Sequence, residues 1–256
     1  MGISLAQGKV GGCFYNTGMT KPANLIAYLF EGQPHHLSGE LYQWMDASSR
    51  FTVFVETYRE KVRKKIRVAG EPESALDVRS ELEVAFCLLR DRRLDVAYEP
   101  YANLQGRGPD FAVTYRKNLL FNIEVARMRA EENGIPGNDL QRKTQERILR
   151  IFLYKLGQMQ PGKANLLVIH TRNEIAQTID LNKLMQEIKT RAEGKERSFY
   201  EISRYASPAA FYKDFLHLSG ILLWAPAAQV WVNKQARPGL DVKVMQLVSS
   251  LSSSAA

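Results

Sequence analysis

Two acids set the chemical question. In the stretch GRGPDFAVTYRKNLLFNIEVARMR, residues 106–129, Asp110 follows a Gly-Pro step and Glu124 lies among apolar residues. Side chains alternate along a strand, so Asp110 and Ala112 share one face of a first strand, while Asn122, Glu124 and Ala126 share one face of a second. Arg116-Lys117-Asn118 makes a hairpin connection between the two. Antiparallel pairing then allows both carboxylates to lie on one polar face. Two carboxylates, completed by a backbone carbonyl and waters, are natural oxygen ligands for a hard divalent cation such as magnesium. Such a cation polarises a phosphodiester and lowers the pKa of an attacking water.

The elements that must position these acids follow from periodicity. Residues 74–90 carry Val78, Leu82, Phe86 and Leu89 at helical spacing. Residues 94–98, 110–115 and 119–126 read as strands, 139–156 as a helix and 164–170 as a buried central strand. Further on, a helix is expected over 179–192, a short one over 209–215, strands over 218–224 and 228–232, and a last element over 238–248. Before residue 70 the pattern is helical, over 22–30 and then 39–68 with breaks; the first twenty residues, five of them glycine, read as irregular. The class is mixed α/β. A boundary is expected near residues 70–74, dividing 1–73, an arm and helical region, from an α/β unit over 74–256.

Pro109-Asp110, thirteen intervening residues and Glu124-Val125-Ala126 resemble the PD-(D/E)XK nuclease superfamily, whose pattern is Pro-Asp, a variable spacer, then an acid, any residue and a lysine. The resemblance covers residues 74–171 and implies a restriction-endonuclease-like core of order α-β-β-β-α-β, with an N-terminal helical extension and a C-terminal α/β elaboration. It implies metal-dependent hydrolysis of nucleic acid, DNA before RNA. Asp110 and Glu124 would act with Glu81, or alternatively Glu83, from the first core helix, and with the Val125 carbonyl, to hold magnesium or manganese. The chain departs from the pattern at the lysine, where Ala126 stands and Arg127 follows. In a regular strand Arg127 points away from Glu124. A bulge could bring its guanidinium round to hold phosphate, or Gln141, Lys143 or Gln145 on the next helix could supply the polar contact. Arginine stays protonated and is a poor general base. The alternative function is a catalytically degenerate module of the same fold that binds nucleic acid or a protein partner.

The charge balance fits a polyanionic partner. The chain of 256 residues has 35 Lys and Arg against 27 Asp and Glu, a formal excess of eight positive charges. Anionic membrane surfaces attract the same charges, but no apolar stretch is long enough to span a bilayer. Between Arg59 and Arg67 six basic residues, Arg59, Lys61, Arg63, Lys64, Lys65 and Arg67, accompany one acid. With Arg129, Arg142, Lys143 and Arg147 they are the candidate nucleic-acid contacts; the first run also suits the cation-favouring end of a helix. Two cysteines, Cys13 and Cys87, permit at most one disulfide, and the reading is a reducing, cytoplasmic setting. A homodimer would suit duplex cleavage, which engages two phosphodiesters. The four histidines make no zinc pattern, and neither a Walker phosphate loop nor a G-x-S-x-G nucleophile elbow occurs.

Overall fold

The computed structural model describes residues 20–102, 108–129 and 137–252. Cys13 and most of the glycine-rich start lie outside these residues. Four helices come first: α1 (Lys21–Leu29), α2 (Ser38–Ala47), α3 (Ser49–Thr57) and α4 (Arg59–Ala69). The broken helical region is thus three helices. The Ser48 hydroxyl accepts from the Phe51 N–H at 3.2 Å and caps α3. Next come α5 (Pro72–Arg90), β1 (Leu94–Tyr98), β2 (Phe111–Tyr115), β3 (Leu119–Arg127), α6 (Gly137–Leu156) and β4 (Ala164–His170). The remainder is α7 (Asn173–Thr178), α8 (Leu181–Glu193), α9 (Arg197–Ile202), α10 (Pro208–Phe215), β5 (Gly220–Trp224), β6 (Gln229–Val232) and α11 (Val242–Ser252).

The six strands form one mixed sheet in sequential order. β1, β2 and β3 pair antiparallel, β4 and β5 run parallel to β3, and β6 closes the far edge antiparallel. The parallel centre is buried on both faces, which is why β4 and β5 read as continuous apolar runs. The β2–β3 connection is tight, with Arg116 and Lys117 both at positive φ, as hairpin turns require.

Helices cover both faces. On one, Val113, Phe121, Ile123 and Val125 pack with side chains of α1–α5 and α11 in one buried cluster. On the other, Ala126, Leu167, Ile169, Ile221 and Leu223 pack under α6, α8, α9 and α10. The apolar side chains of the N-terminal helices therefore share a core with α5 and the sheet. Phe51 stacks on Phe54 within it, and Phe54 and Tyr58 meet each other and Tyr98 at tilted or edge-on angles, so they serve packing. Among the described residues no helix is long and apolar enough to cross a membrane.

Candidate active site

The site begins where two strands part. β2 and β3 pair from Tyr115↔Leu119 to Phe111↔Ile123, and there the ladder ends, while β3 continues to Arg127 in register with β4. Asp110 lies at this fork. Its carboxylate Oδ2 accepts the Val125 N–H at 2.8 Å, a side chain doing what a ladder carbonyl does elsewhere. Its own carbonyl accepts the Glu99 N–H at 2.7 Å and ties it to the end of β1. Gly108 is needed just before it, because a Cβ there would come within 2.6 Å of Tyr101 Cβ. Tyr101 in turn donates to Asn122 Oδ1 at 2.8 Å.

Glu124 points to the α6 side, on the same face as Ala126 and in register with Leu167. Across from it stands Lys155, near the end of α6, whose ammonium bonds Glu124 Oε1. On α6 Lys155 follows Ile148 and Phe152 at the spacing of the buried stripe, which is how a helix covering this face aims it inward. An amine therefore meets the second acid from the adjoining helix, on the face where Ala126 leaves only a methyl group. Neither Arg127 nor residues 141–145 fill that role.

The third acid comes from the other face. Glu81 takes the Tyr98 hydroxyl at 2.7 Å and the Lys65 ammonium at 2.6 Å, both on Oε2. Lys65, reaching down from α4, also lies 2.9 Å from Glu99 Oε1 and 3.8 Å from Asp110 Oδ1. Glu83, the alternative to Glu81, faces elsewhere: it meets Arg79 at 2.7 Å and His170 Nε2 at 3.2 Å.

Charge governs this cluster. The side chains of Glu81, Asp110 and Glu124 are 15 %, 14 % and 2 % exposed, too little for water to stabilise three carboxylates. Burial, then the negative charge of Glu124, pushes the Asp110 carboxyl up to about 7 against the pull of Lys65, Lys155 and the Val125 N–H. Burial and Asp110 likewise push Glu81 up to about 7. Glu124 is raised by burial, with Lys155 opposing. Burial disfavours the Lys155 ammonium, but Glu124 and Asp110 outweigh it and the amine holds its proton above the usual range. With all groups ionised, Glu81, Glu99, Asp110 and Glu124 carry two more negative charges than Lys65 and Lys155 neutralise.

The oxygen donors suit a hard cation in type. One of them is unanswered: Glu124 Oε2 is buried and has no hydrogen-bond partner among the described residues. A divalent ion would supply both the missing contact and the missing two charges. Yet among the described residues no group of three His, Cys, Asp or Glu stands preassembled around a metal position, since the lysines lie between the acids. The cluster opens on two sides. A cavity of about 400 Å³ is lined by Lys65, Asp110, Glu124, Tyr154 and Lys155. A second, of about 410 Å³, is lined by Glu81, Val125, Arg127, Arg129 and again Tyr154 and Lys155.

The other expected site residues are placed differently. Arg127 is drawn to α5, where Nε meets Asp77 at 2.9 Å and the guanidinium bonds the Glu73 carbonyl at 2.9 Å and carboxylate at 2.5 Å. It is a clasp between β3 and α5, as strand alternation requires, and not a stand-in for the amine. Arg129 pairs with Asp77 at 2.7 Å. The basic run on α4 is not one open stripe. Lys61 bonds the Tyr98 and Glu99 carbonyls, Lys65 enters the acid cluster, and Arg63 pairs with Glu31 at 2.7 Å. Arg59 lies against Glu60 and the Tyr28 ring, while Lys64 and Arg67 are exposed. On α6 Arg142 is exposed beside Glu146, Arg147 bonds the Arg129 carbonyl, and Lys143 is half-buried.

Sequence reasoning overlooked Lys155 and the inward turn of Lys65. The signal was present: Lys65 follows Tyr58 and Val62, Glu81 follows Val78, and Lys155 follows Ile148 and Phe152, each at apolar-stripe spacing. A charged residue on an inward stripe must find a partner. No protein-family model, curated protein or solved structure matches this chain.

Proposed function

We propose that this chain is a divalent-cation-dependent nuclease with a restriction-endonuclease-like core running α5-β1-β2-β3-α6-β4, and that Glu81, Asp110, Glu124 and Lys155 form its active site. The observation that carries this is the Lys155–Glu124 contact. It joins an amine to the second acid of the Pro-Asp…Glu pattern on the face where the pattern's lysine is missing. The element order and the parting of β2 from β3 at the two acids support the same reading.

Asp110 and Glu124, with Glu81 and the Val125 carbonyl, would hold magnesium or manganese. Bound there, the cation supplies Lewis-acid polarisation of the phosphoryl oxygens and neutralises charge that builds in the transition state. The protein's own groups do the rest. Lys155 keeps its proton and offers N–H donors to a non-bridging phosphate oxygen or to the attacking water, beside Glu124. Its charge is held in a largely buried position, where such preorganised donors act most strongly. Tyr98 and Lys65 fix the Glu81 carboxylate. The exposed Lys64, Arg67, Arg129 and Arg142 provide positive charge for the nucleic-acid backbone, as DNA binding requires.

The test is cleavage of linear DNA and of RNA with magnesium or manganese, comparing the native chain with Asp110→Asn and Glu124→Gln. Both variants should fold and lose cleavage by at least about a hundredfold. Equal cleavage by both would sink the assignment. A second reading, a noncatalytic module that binds nucleic acid or a protein, is favoured by the two ammonium groups already seated among the acids. It expects salt-sensitive binding to DNA, RNA or an acidic protein surface, and no cleavage with either metal.

A further inference from the structure

The two ends of the acid cluster differ. On the α4 side Glu81 Oε2 receives two donors, and the Lys65 ammonium lies 2.6 Å from Glu81, 2.9 Å from Glu99 and 3.8 Å from Asp110. Three carboxylates from α5, the end of β1 and the start of β2 thus converge on one nitrogen. The ammonium also lies over the Tyr98 ring, with Nζ 4.8 Å from its centroid, a cation–π contact that helps to hold it in place. On the β3 side, Lys155 answers one oxygen of Glu124, and Oε2 stays buried without a donor among the described residues.

Many phosphodiester-cleaving sites place two divalent ions side by side, each bridged by shared carboxylates. Here the carboxylates that would bridge a second ion already converge on an amine. We propose that Lys65 is a built-in second cation: its ammonium fills, among Glu81, Glu99 and Asp110, the place a second divalent ion would take, so the site accepts one metal ion, on the Glu124 side. This rests on the cation-binding reading above and adds to it the number and position of the ions. It also gives the N-terminal helical region a part in the site, because α4 delivers the charge. A fixed monovalent charge cannot be diluted away, so the α4 side of the site stays charged at any metal concentration.

The experiment measures how many Mn2+ ions the full-length chain binds, by equilibrium dialysis and by titration calorimetry. The native chain should bind one. Lys65→Met should bind two, and Lys65→Arg, which keeps the charge, should bind one. A Lys65→Met chain that binds one ion overturns the inference but leaves the metal site standing. One ion held more tightly also overturns it, by making Lys65 a competitor for a shared position. Two ions in the native chain overturn it as well. If the native chain binds none, the cation-dependent reading fails and takes this inference with it. Should Lys65→Met fold only when Mn2+ is added, near-UV circular dichroism during the titration becomes the readout. Recovery with two ions supports the inference, and a chain that stays unfolded at saturating Mn2+ overturns it.

Discussion

Replacing Lys155 by Met tests the site at its most exacting contact. The change keeps the length of the side chain and most of its packing but removes the charge from a pair whose acid is 2 % exposed and whose lysine is 20 % exposed. Breaking one partner of a buried pair costs about 3–5 kcal/mol, because the survivor is left uncompensated. Glu124 has a partial escape, since burial already raises its pKa and lets it take up a proton, so the lower end applies, about 3 kcal/mol. For a chain of this size that is a fall in Tm of about 6–12 °C. Removing both charges with Lys155→Met and Glu124→Gln together should return most of the loss, leaving the double variant within about 1 kcal/mol of the native chain. Thermal melts and urea titrations of the four proteins measure the coupling, and cleavage in parallel should fall by about 10²–10³ in the single Lys155 variant. A coupling under about 0.5 kcal/mol, or a single variant that melts and cleaves like the native chain, would refute the reasoning.

Other expectations follow from the same geometry. Arg127→Ala should lower stability by about 1–3 kcal/mol through the loss of its contacts with Glu73 and Asp77, while the metal-dependent step keeps its rate to within about threefold; a loss of cleavage without a loss of stability would return Arg127 to the site. In metal-free buffer Glu81 and Asp110 ionise near 7 when folded, against 4.5 and 3.8 as ordinary carboxylates. The folded state favours their protonated forms, so this contribution is fullest below about pH 4 and is lost as the pH rises through about 7. Melts with a chelator at about pH 5.5 and about pH 8 should show that loss, and Asp110→Asn should show less of it; an unchanged pH dependence in Asp110→Asn would contradict the assignment. Gly108→Ala must displace Tyr101, whose Cβ a new methyl would approach to 2.6 Å, and should cost about 1–3 kcal/mol by calorimetry together with a weaker cation site. Reversing charge at Lys64 and Arg67 should weaken DNA binding at low salt and flatten its salt dependence by about one to two units of slope, whatever the sequence bound.

Much of the fold was legible because it rests on local rules. Strand patterning placed β1, β2 and β3, and a continuous apolar run placed β4, within a residue or so of their observed ends, and the apolar stripe placed α5 and α6 within about two. The same alternation told that Arg127 would leave the face of Glu124, and it does. What stayed hidden depends on rotation and reach. Lys155 lies thirty-one residues from Glu124, and only the roll of α6 on the sheet brings its amine to that oxygen. The expected contributors at 141–145 are about three to four turns earlier on the same helix, and Gln141, for one, reaches the Thr178 carbonyl instead. Likewise α4 reads as a basic surface helix until its inner stripe is traced. Its cations then divide among those facing out, Lys64 and Arg67, those facing the end of β1, Lys61 and Lys65, and those against Tyr28, Arg59 and Arg63.

The fork at Asp110 also bears on how such a protein could change over generations. One carboxylate oxygen keeps β3 stitched to its neighbour through the Val125 N–H, while the other faces the cations. Asparagine retains the first and surrenders the second, since its amide oxygen accepts the same N–H but carries no charge. A single-letter change can therefore remove the charge and spare the architecture, leaving a folded body with its basic surface intact. On the proposed function, descent from cutter to binder would need no intermediate that fails to fold.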